Sequence, residues 1–331
     1  MNSTWDPNGG IPRRVRLIYV IIMSIIALLV CVGNGLFIAA CLRAGRQSAL
    51  RTYAMLFLVQ LACADMLVGI SMPYHIVLFW LPNLEFKRVP CAARYFTIIF
   101  PLAASVLCLM MLSVDRCLGV RCPLRYPTLV TSRRVAIASA TSWVVALIVG
   151  IVLPLLMINK WKVRPKHPCD LTTQFRWEYF GFLILPLFFL ITIVLAVAYA
   201  ITIWTVVQHL KTRRKLSADA NAGETADSSF SSANVRVIVT GIIVCAIFYI
   251  CWMPFFIILS IQVYSMRLED MVLSGYRTVF TFPAIANSFM NAIIYAWRLP
   301  AFRSTVKQMC CAECVSRGEP KSHTELTDVS K

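Results

Sequence analysis

Seven long stretches of this chain are almost free of charge, and they constrain its fold more than any other feature. Leu17–Leu42, Tyr95–Val114, Val135–Asn159, Tyr179–Gln208, Val237–Met266 and Thr278–Trp297 contain no Asp, Glu, Lys or Arg, and Tyr53–Pro82 contains one, Asp65. A helix crosses the hydrocarbon core of a bilayer with about 20 apolar residues, and each stretch reaches that length. The core holds no water, so backbone N–H and C=O groups must pair within the segment, which selects helices. Hydrophobic residues make up 59% of the 331 and charged residues 14%, too little polar surface to clothe a water-soluble fold of this size. One such run fits a buried helix of a soluble protein. Seven in succession fit an all-α membrane protein built as a seven-helix bundle. The expected organisation is an extracellular N-terminus over 1–16, the bundle over 17–297, an amphipathic surface helix over 298–311 and a cytoplasmic tail over 312–331.

The net charge of +17 raises nucleic acid as a partner. It is divided between the two ends of the spans rather than gathered into one footprint, so nucleic acid is not expected. With the N-terminus outside, the inner connections hold the larger share of Lys and Arg, a modest positive-inside asymmetry. Met1–Pro12 is polar, and the first apolar run is longer than a signal-peptide core, so it reads as the anchor itself. This orientation would expose Asn2-Ser3-Thr4, a glycosylation sequon on Asn2. Most of the 13 cysteines lie in the spans, as small hydrophobes. Cys91 and Cys169 fall at the outer face, where a disulfide would pin the loop before the fifth span and contribute roughly 3–4 kcal/mol. Cys310, Cys311 and Cys314 follow the last span on the inner side, where palmitoylation and plain surface thiols are equal readings. The connection from His209 to Ser232 begins basic and turns small, polar and acidic, the composition of a flexible loop. Leu299–Cys311 puts Phe302 and Val306 on one side and Arg303 and Lys307 on the other, the pattern of a helix lying on membrane lipid.

Polar side chains at membrane depth are costly and usually functional. Asp65 lies near the middle of a span, with Asn34, Ser105, Asn287, Ser288 and Asn291 at similar depth on others. Their oxygens are hard ligands for a sodium ion or ordered waters. On spacing alone, interhelical hydrogen bonds are the simpler account of them. Arg116, beside Asp115 at the inner end of the third span, must pair or reach water. Prolines interrupt six spans, at Pro73, Pro101, Pro154, Pro186, Pro254 and Pro283, and each frees a carbonyl and permits a kink. The four histidines are scattered, and neither a metal-ligand spacing nor a glycine-rich phosphate loop stands out. No enzyme activity is expected.

Span by span, the sequence resembles the rhodopsin-like G-protein-coupled receptors over about Leu17 to Cys311. Gly33-Asn34 stands in the first span and Leu61-Ala-Cys-Ala-Asp65 in the second. Cys91 precedes Asp115-Arg116-Cys117 at the family's spacing in the third, followed by Pro123-Leu-Arg-Tyr126. Trp143 marks the fourth span and Pro186 the fifth. Cys251-Trp-Met-Pro254, with Phe248 one turn earlier, marks the sixth, and Asn291-Ala-Ile-Ile-Tyr295 followed by Phe302 the seventh. The resemblance implies a plasma-membrane receptor that activates a heterotrimeric G protein and meets arrestin. It assigns Asp115, Arg116, Asn291 and Tyr295 to coupling and switching, and Val106, Pro186, Phe248 and Trp252 to the connector between ligand pocket and inner face. Asp65, Ser105, Asn287, Ser288 and Asn291 match the family's allosteric sodium and water site. The sequence departs from the pattern at Cys117 and Ala292, at Val194 where a tyrosine is common, and at Asn234 where an acid often faces Arg116. Asp115 is then the remaining restraint on Arg116, and raised basal signalling is the expectation.

Texture in Leu58–Met72, Leu124–Arg134 and Asn287–Arg298 is similar to adenosine, melanocortin and amine receptors. Ile98 stands in place of the amine receptors' aspartate and Ile285 in place of the opsins' lysine. Leu259 and Ile285 replace the adenosine receptors' asparagine and histidine. The ligand is therefore open, with an extracellular small molecule expected. Candidate pocket residues are Arg94, Ile98, Ile99, Leu102, Glu178, Phe255, Phe256, Leu259, Arg277 and Thr281. Arg94 and Arg277 offer an attraction for an anion, against a plain reading as solvated rim charge. Glu178 could pair Arg94 or bind an ammonium. Two other functions compete: a transporter or channel, which the absence of inverted halves disfavours, and a weakly signalling dimerisation partner.

Overall fold

A computed structural model describes residues 13–43, 53–81, 87–158, 169–219, 228–267, 271–298 and 300–315. Seven of its helices are long and apolar enough to cross a membrane. They are α1 (Arg13–Arg43), α2 (Tyr53–Trp80), α3 (Arg88–Arg121), α4 (Ser132–Leu147, which spans only with its continuation to Leu156), α5 (Leu185–Asp219), α6 (Ser228–Tyr264) and α7 (Met271–Arg298). A shorter helix, α8 (Pro300–Val315), follows. The chain is a multi-pass membrane protein. Ile18, Ile21, Leu28, Ile70, Ile137, Phe182, Ile193 and Ile250 stand exposed on the helices' outer faces. Water would penalise that surface, and lipid does not.

Several helices run past the apolar stretches that announce them. α1 begins at Arg13, because arginine is a strong helix former and extends the helix beyond the apolar stretch. The expected loop from His209 to Ser232 is helical over most of its length, with α5 running to Asp219 and α6 starting at Ser228. Lys, Arg, Leu and Ala are strong helix formers, so leaving the lipid does not end the helix. The expected surface helix likewise continues beyond its amphipathic stretch, to Val315. Its Phe302 is buried against Phe37 of α1, ring centroids 5.5 Å apart.

Two π-helical turns shape the middle of the bundle. One, Ile148–Val152, continues α4 into Leu153–Leu156, and the other, Tyr179–Ile184, opens α5. Tyr179 joins them, its hydroxyl donating to the Val149 carbonyl at 2.8 Å. The neighbouring Gly150 lets α4 touch the α3 backbone, since a Cβ there would overlap Phe100 Cα. The core between α3, α5 and α6 is aromatic, with Phe188 stacked on Phe256 at 3.5 Å and Trp252 5.8 Å from Phe256.

Candidate functional site

A cavity of about 280 Å³ lies inside the bundle. At one end it meets Arg94, Cys169, Asp170 and Arg277, and it continues to Val106, Ile191 and Trp252. Ile98, Ile99, Leu102, Phe255, Phe256, Leu259 and Thr281 also line it. Glu178 does not. Its carboxylate pairs with Arg176 at 2.7 Å, and that donor holds it below the usual carboxylate range. Its position near the start of the fifth span gave proximity to the cavity but not direction.

The end of the bundle at Cys91 is tied together. Cys91 and Cys169 are bonded, with Cα atoms 5.7 Å apart. Tyr95 donates to the Cys169 carbonyl at 2.8 Å, and Asp170 next to it accepts from the Thr172 N–H and hydroxyl. Its other oxygen meets Arg277 of α7 at 2.5 Å. Burial works to raise the Asp170 pKa, but the Arg277 charge and these hydrogen bonds outweigh it, and the net shift is downward. Arg277 is 4% exposed, so the reading of it as a solvated rim charge fails. Sequence reasoning does not find Asp170, whose one local signal is its place after Cys169.

Midway along the bundle, Asp65 is fully buried. Ser105 donates to one of its oxygens at 2.8 Å and Asn291 to the other at 3.0 Å. Asn34 donates to the carbonyls of Val30 and Ser288, both at 3.0 Å, while its own oxygen is buried without a partner. Asn287 and Ser288 are buried on the same helix as Asn291. Residues named from four separate spans thus converge. Phe248 stands 6.4 Å from Trp252, below the cavity. Pro186 sits in the first turn of α5, just after the π-helical opening.

At the opposite end, Asp115 is buried and accepts from the Tyr126 hydroxyl at 2.8 Å. Burial first, and then that bond to Asp115, push the Tyr126 pKa up. Among the described residues, Arg116 makes no hydrogen bond or ion pair, so the expected restraint by Asp115 is not formed as a contact. Arg121 lies over Trp204 of α5, 5.4 Å from the ring centroid. Tyr199, five residues beyond Val194, is the buried tyrosine at this end of α5. Its ring packs on Gly241 of α6, where a Cβ would lie 2.8 Å from Cε1. A tyrosine deep in an apolar span is the signal that could have found it. The side chains of Asn234, Tyr295, Cys310, Cys311 and Cys314, and Asn2 as a whole, lie outside the described residues.

Known proteins resemble this chain along most of its length. The pattern of the family described as "7 transmembrane receptor (rhodopsin family)" matches residues 33–295. The chain is 28% identical to the histamine H2 receptor of Cavia porcellus, over 97% of this chain and 89% of that one. It is 27% identical to the adenosine receptor A3 of Ovis aries, over 93% of this chain and 95% of that one.

Proposed function

The chain belongs to the rhodopsin family of seven-transmembrane receptors, G-protein-coupled receptors rather than enzymes, and on that premise we propose how this member works. It resides in the plasma membrane with the Cys91–Cys169 end outside. A small molecule enters the cavity from there, and the Arg116 end engages a heterotrimeric G protein and later arrestin. One observation carries this reading: the cavity reaches Trp252, whose ring belongs to the aromatic stack of Phe188, Phe248 and Phe256 between α5 and α6. A ligand pressing there repacks two helices that continue to the opposite end. It shifts the equilibrium by as much as it prefers one packing over the other. The relatives named for histamine and adenosine fit a ligand of small-molecule size, but Ile98, Leu259 and Ile285 argue against either of those two in the cavity.

A sodium ion fits the Asp65 cluster. Among the described residues no cationic group meets this buried carboxylate, and an unpaired buried charge is costly. The Asp65, Ser105 and Ser288 oxygens and the unpartnered Asn34 oxygen are the hard donors that such an ion takes. When bound, it supplies a compensating charge that favours the closed packing. Asp65→Asn should remove any stabilisation that sodium gives over equal potassium, and a persisting sodium effect in that variant would sink the assignment.

The decisive experiment for coupling is nucleotide exchange on purified G proteins, tested as a panel with parent protein in lipid nanodiscs. Parent protein should accelerate exchange and Arg116→Ala should not. Equal rates for the two would overturn the coupling role of Arg116.

A further inference from the structure

The cavity's polar groups are mostly satisfied, and what is left over has one sign. Tyr95 and Tyr179 donate their protons to the carbonyls of Cys169 and Val149, and Thr278 and Thr281 donate to Ser274 and Arg277. Among the described residues, two buried atoms of the cavity lining have no partner: Nη1 of Arg277 and Nε1 of Trp252. Both are donors. A buried donor without an acceptor loses its hydration with no return, so the missing complement is an acceptor. Of the charged lining residues, Arg277 carries the unpartnered donor, and Asp170 is the one carboxylate of the described lining. Asp170 gives one oxygen to Arg277 and the other to Thr172. Among the described residues no second lining carboxylate receives an ammonium, and Ile98 supplies none. Between the two donors the walls are largely Ile, Leu and Phe.

From this we infer that the cavity takes a carboxylate on an apolar, aryl or alkyl body, with the head on Arg277 and the body reaching toward Trp252. Asp170 is the resident acid on one edge of the same guanidinium, carried on the loop that Cys169 anchors. The ligand's carboxylate takes the buried, unpartnered Nη1 and competes with Asp170 for the charge. The apolar body supplies most of the burial, and the charge-assisted bond to Arg277 supplies selection. This deepens the reading of the cavity as the receptor's ligand site and rests on it.

The test uses three probes sharing one body: phenylhexanoic acid, its primary amide, and phenylhexylamine. Each is titrated against the melting of purified full-length protein in nanodiscs. The acid should bind about tenfold tighter than the amide, and the amine should give no shift. Arg277→Gln alone would strand Asp170, so it is made together with Asp170→Asn, which leaves the net charge of the mouth unchanged. That double variant should bind acid and amide alike. Asp170→Asn alone removes the competitor and should tighten the acid while leaving the amide nearly unchanged. Leu102→Trp fills the cavity and should abolish every shift. The inference is overturned if the amine binds as well as the acid, if the double variant keeps the acid's advantage, or if none of the probes shifts the melt. Probe-free nucleotide exchange by parent and Arg116→Ala is run beside it. Parent protein that fails to accelerate exchange beyond Arg116→Ala, with the acid preference intact, would fault the receptor mechanism and leave the site standing.

Discussion

The two ends of this bundle are held by different kinds of force. At the Cys91 end the ties are covalent and ionic: a disulfide, the buried Asp170–Arg277 pair, and hydroxyls of Tyr74, Tyr95 and Tyr264 on backbone carbonyls of Pro90, Cys169 and Gly181. At the Arg116 end they are weaker: Tyr126 on Asp115, Tyr53 on Ser132, Arg121 over Trp204, and the Tyr199 ring against Gly241. Among the described residues the Arg116 end has no covalent or ionic tie, so it is the end that yields when the middle is perturbed. The cavity and the Asp65 cluster occupy that middle. The asymmetry is what a signalling equilibrium requires, since a few kcal/mol must suffice to change the packing.

The largest effect should come from cutting the covalent tie. Cys91→Ser together with Cys169→Ser opens a link between residues 78 apart in sequence and should lower stability by about 4 kcal/mol. Thermal melting in nanodiscs reads this, and an unchanged melting temperature would mean that the ion pair alone fixes that end.

Asp170→Asn is next, at about 1.5–3 kcal/mol near neutral pH, the range for hydrogen bonds to charged groups. The sign with pH follows from its depressed pKa. The contribution is fully present above the unfolded carboxyl's value of about 3.9 and is lost as pH falls through the lower, folded value. Parent and variant should therefore converge on acidification below about pH 4. A gap that stays constant with pH would show that the cost is one of packing rather than charge.

Legibility in the sequence differs between lipid and loop. Charge-free runs marked all seven spans, because lipid forbids alternatives to helix, and that same rule made Asp65, Ser105 and Asn291 conspicuous. Their meeting was legible because each had one reason to be there. Asp170 was not legible, since its partner lies 107 residues away and nothing local selects it. Glu178 was misplaced because a span's end sets depth but not direction, and Arg176 two residues away captures it. The π-helical turns left no mark in hydropathy, yet they decide that Tyr179 reaches Val149. Hydropathy also fell silent where α5 and α6 leave the lipid, although helix propensity continues.

Gly241→Ala tests the loose end directly. The added methyl would stand 2.8 Å from Tyr199 Cε1, closer than packed atoms approach, so α6 or the ring must shift. If α6 moves outward, the packing that exposes Arg116 is favoured. A bias of about 1.4 kcal/mol is a tenfold change in the ratio of two states, and ligand-free nucleotide exchange should rise by up to that factor. Tyr199→Leu in the same background relieves the clash and should return exchange toward the parent rate. Exchange that is unchanged or lower in Gly241→Ala would show that this contact does not set the opening.

The smallest expected effect is at Tyr126. Its hydroxyl is the hydrogen-bond donor to Asp115, and Arg116 next in sequence has no ion-pair partner among the described residues. Tyr126→Phe removes about 1 kcal/mol of hydrogen bonding and leaves a buried carboxylate seeking a donor. Arg116 is the nearest cation in sequence, so the vacated oxygen should draw its guanidinium inward and away from the G protein. That predicts a fall in ligand-free exchange of roughly fivefold, the ratio that about 1 kcal/mol allows. Asp115→Asn in the Tyr126→Phe background removes the attracting charge and should restore exchange, whereas a role of Tyr126 in shaping the adjoining turn would leave the double variant as impaired as the single. A rise in exchange in Tyr126→Phe would reverse this assignment, because it would make the Tyr126–Asp115 bond itself the restraint at this end.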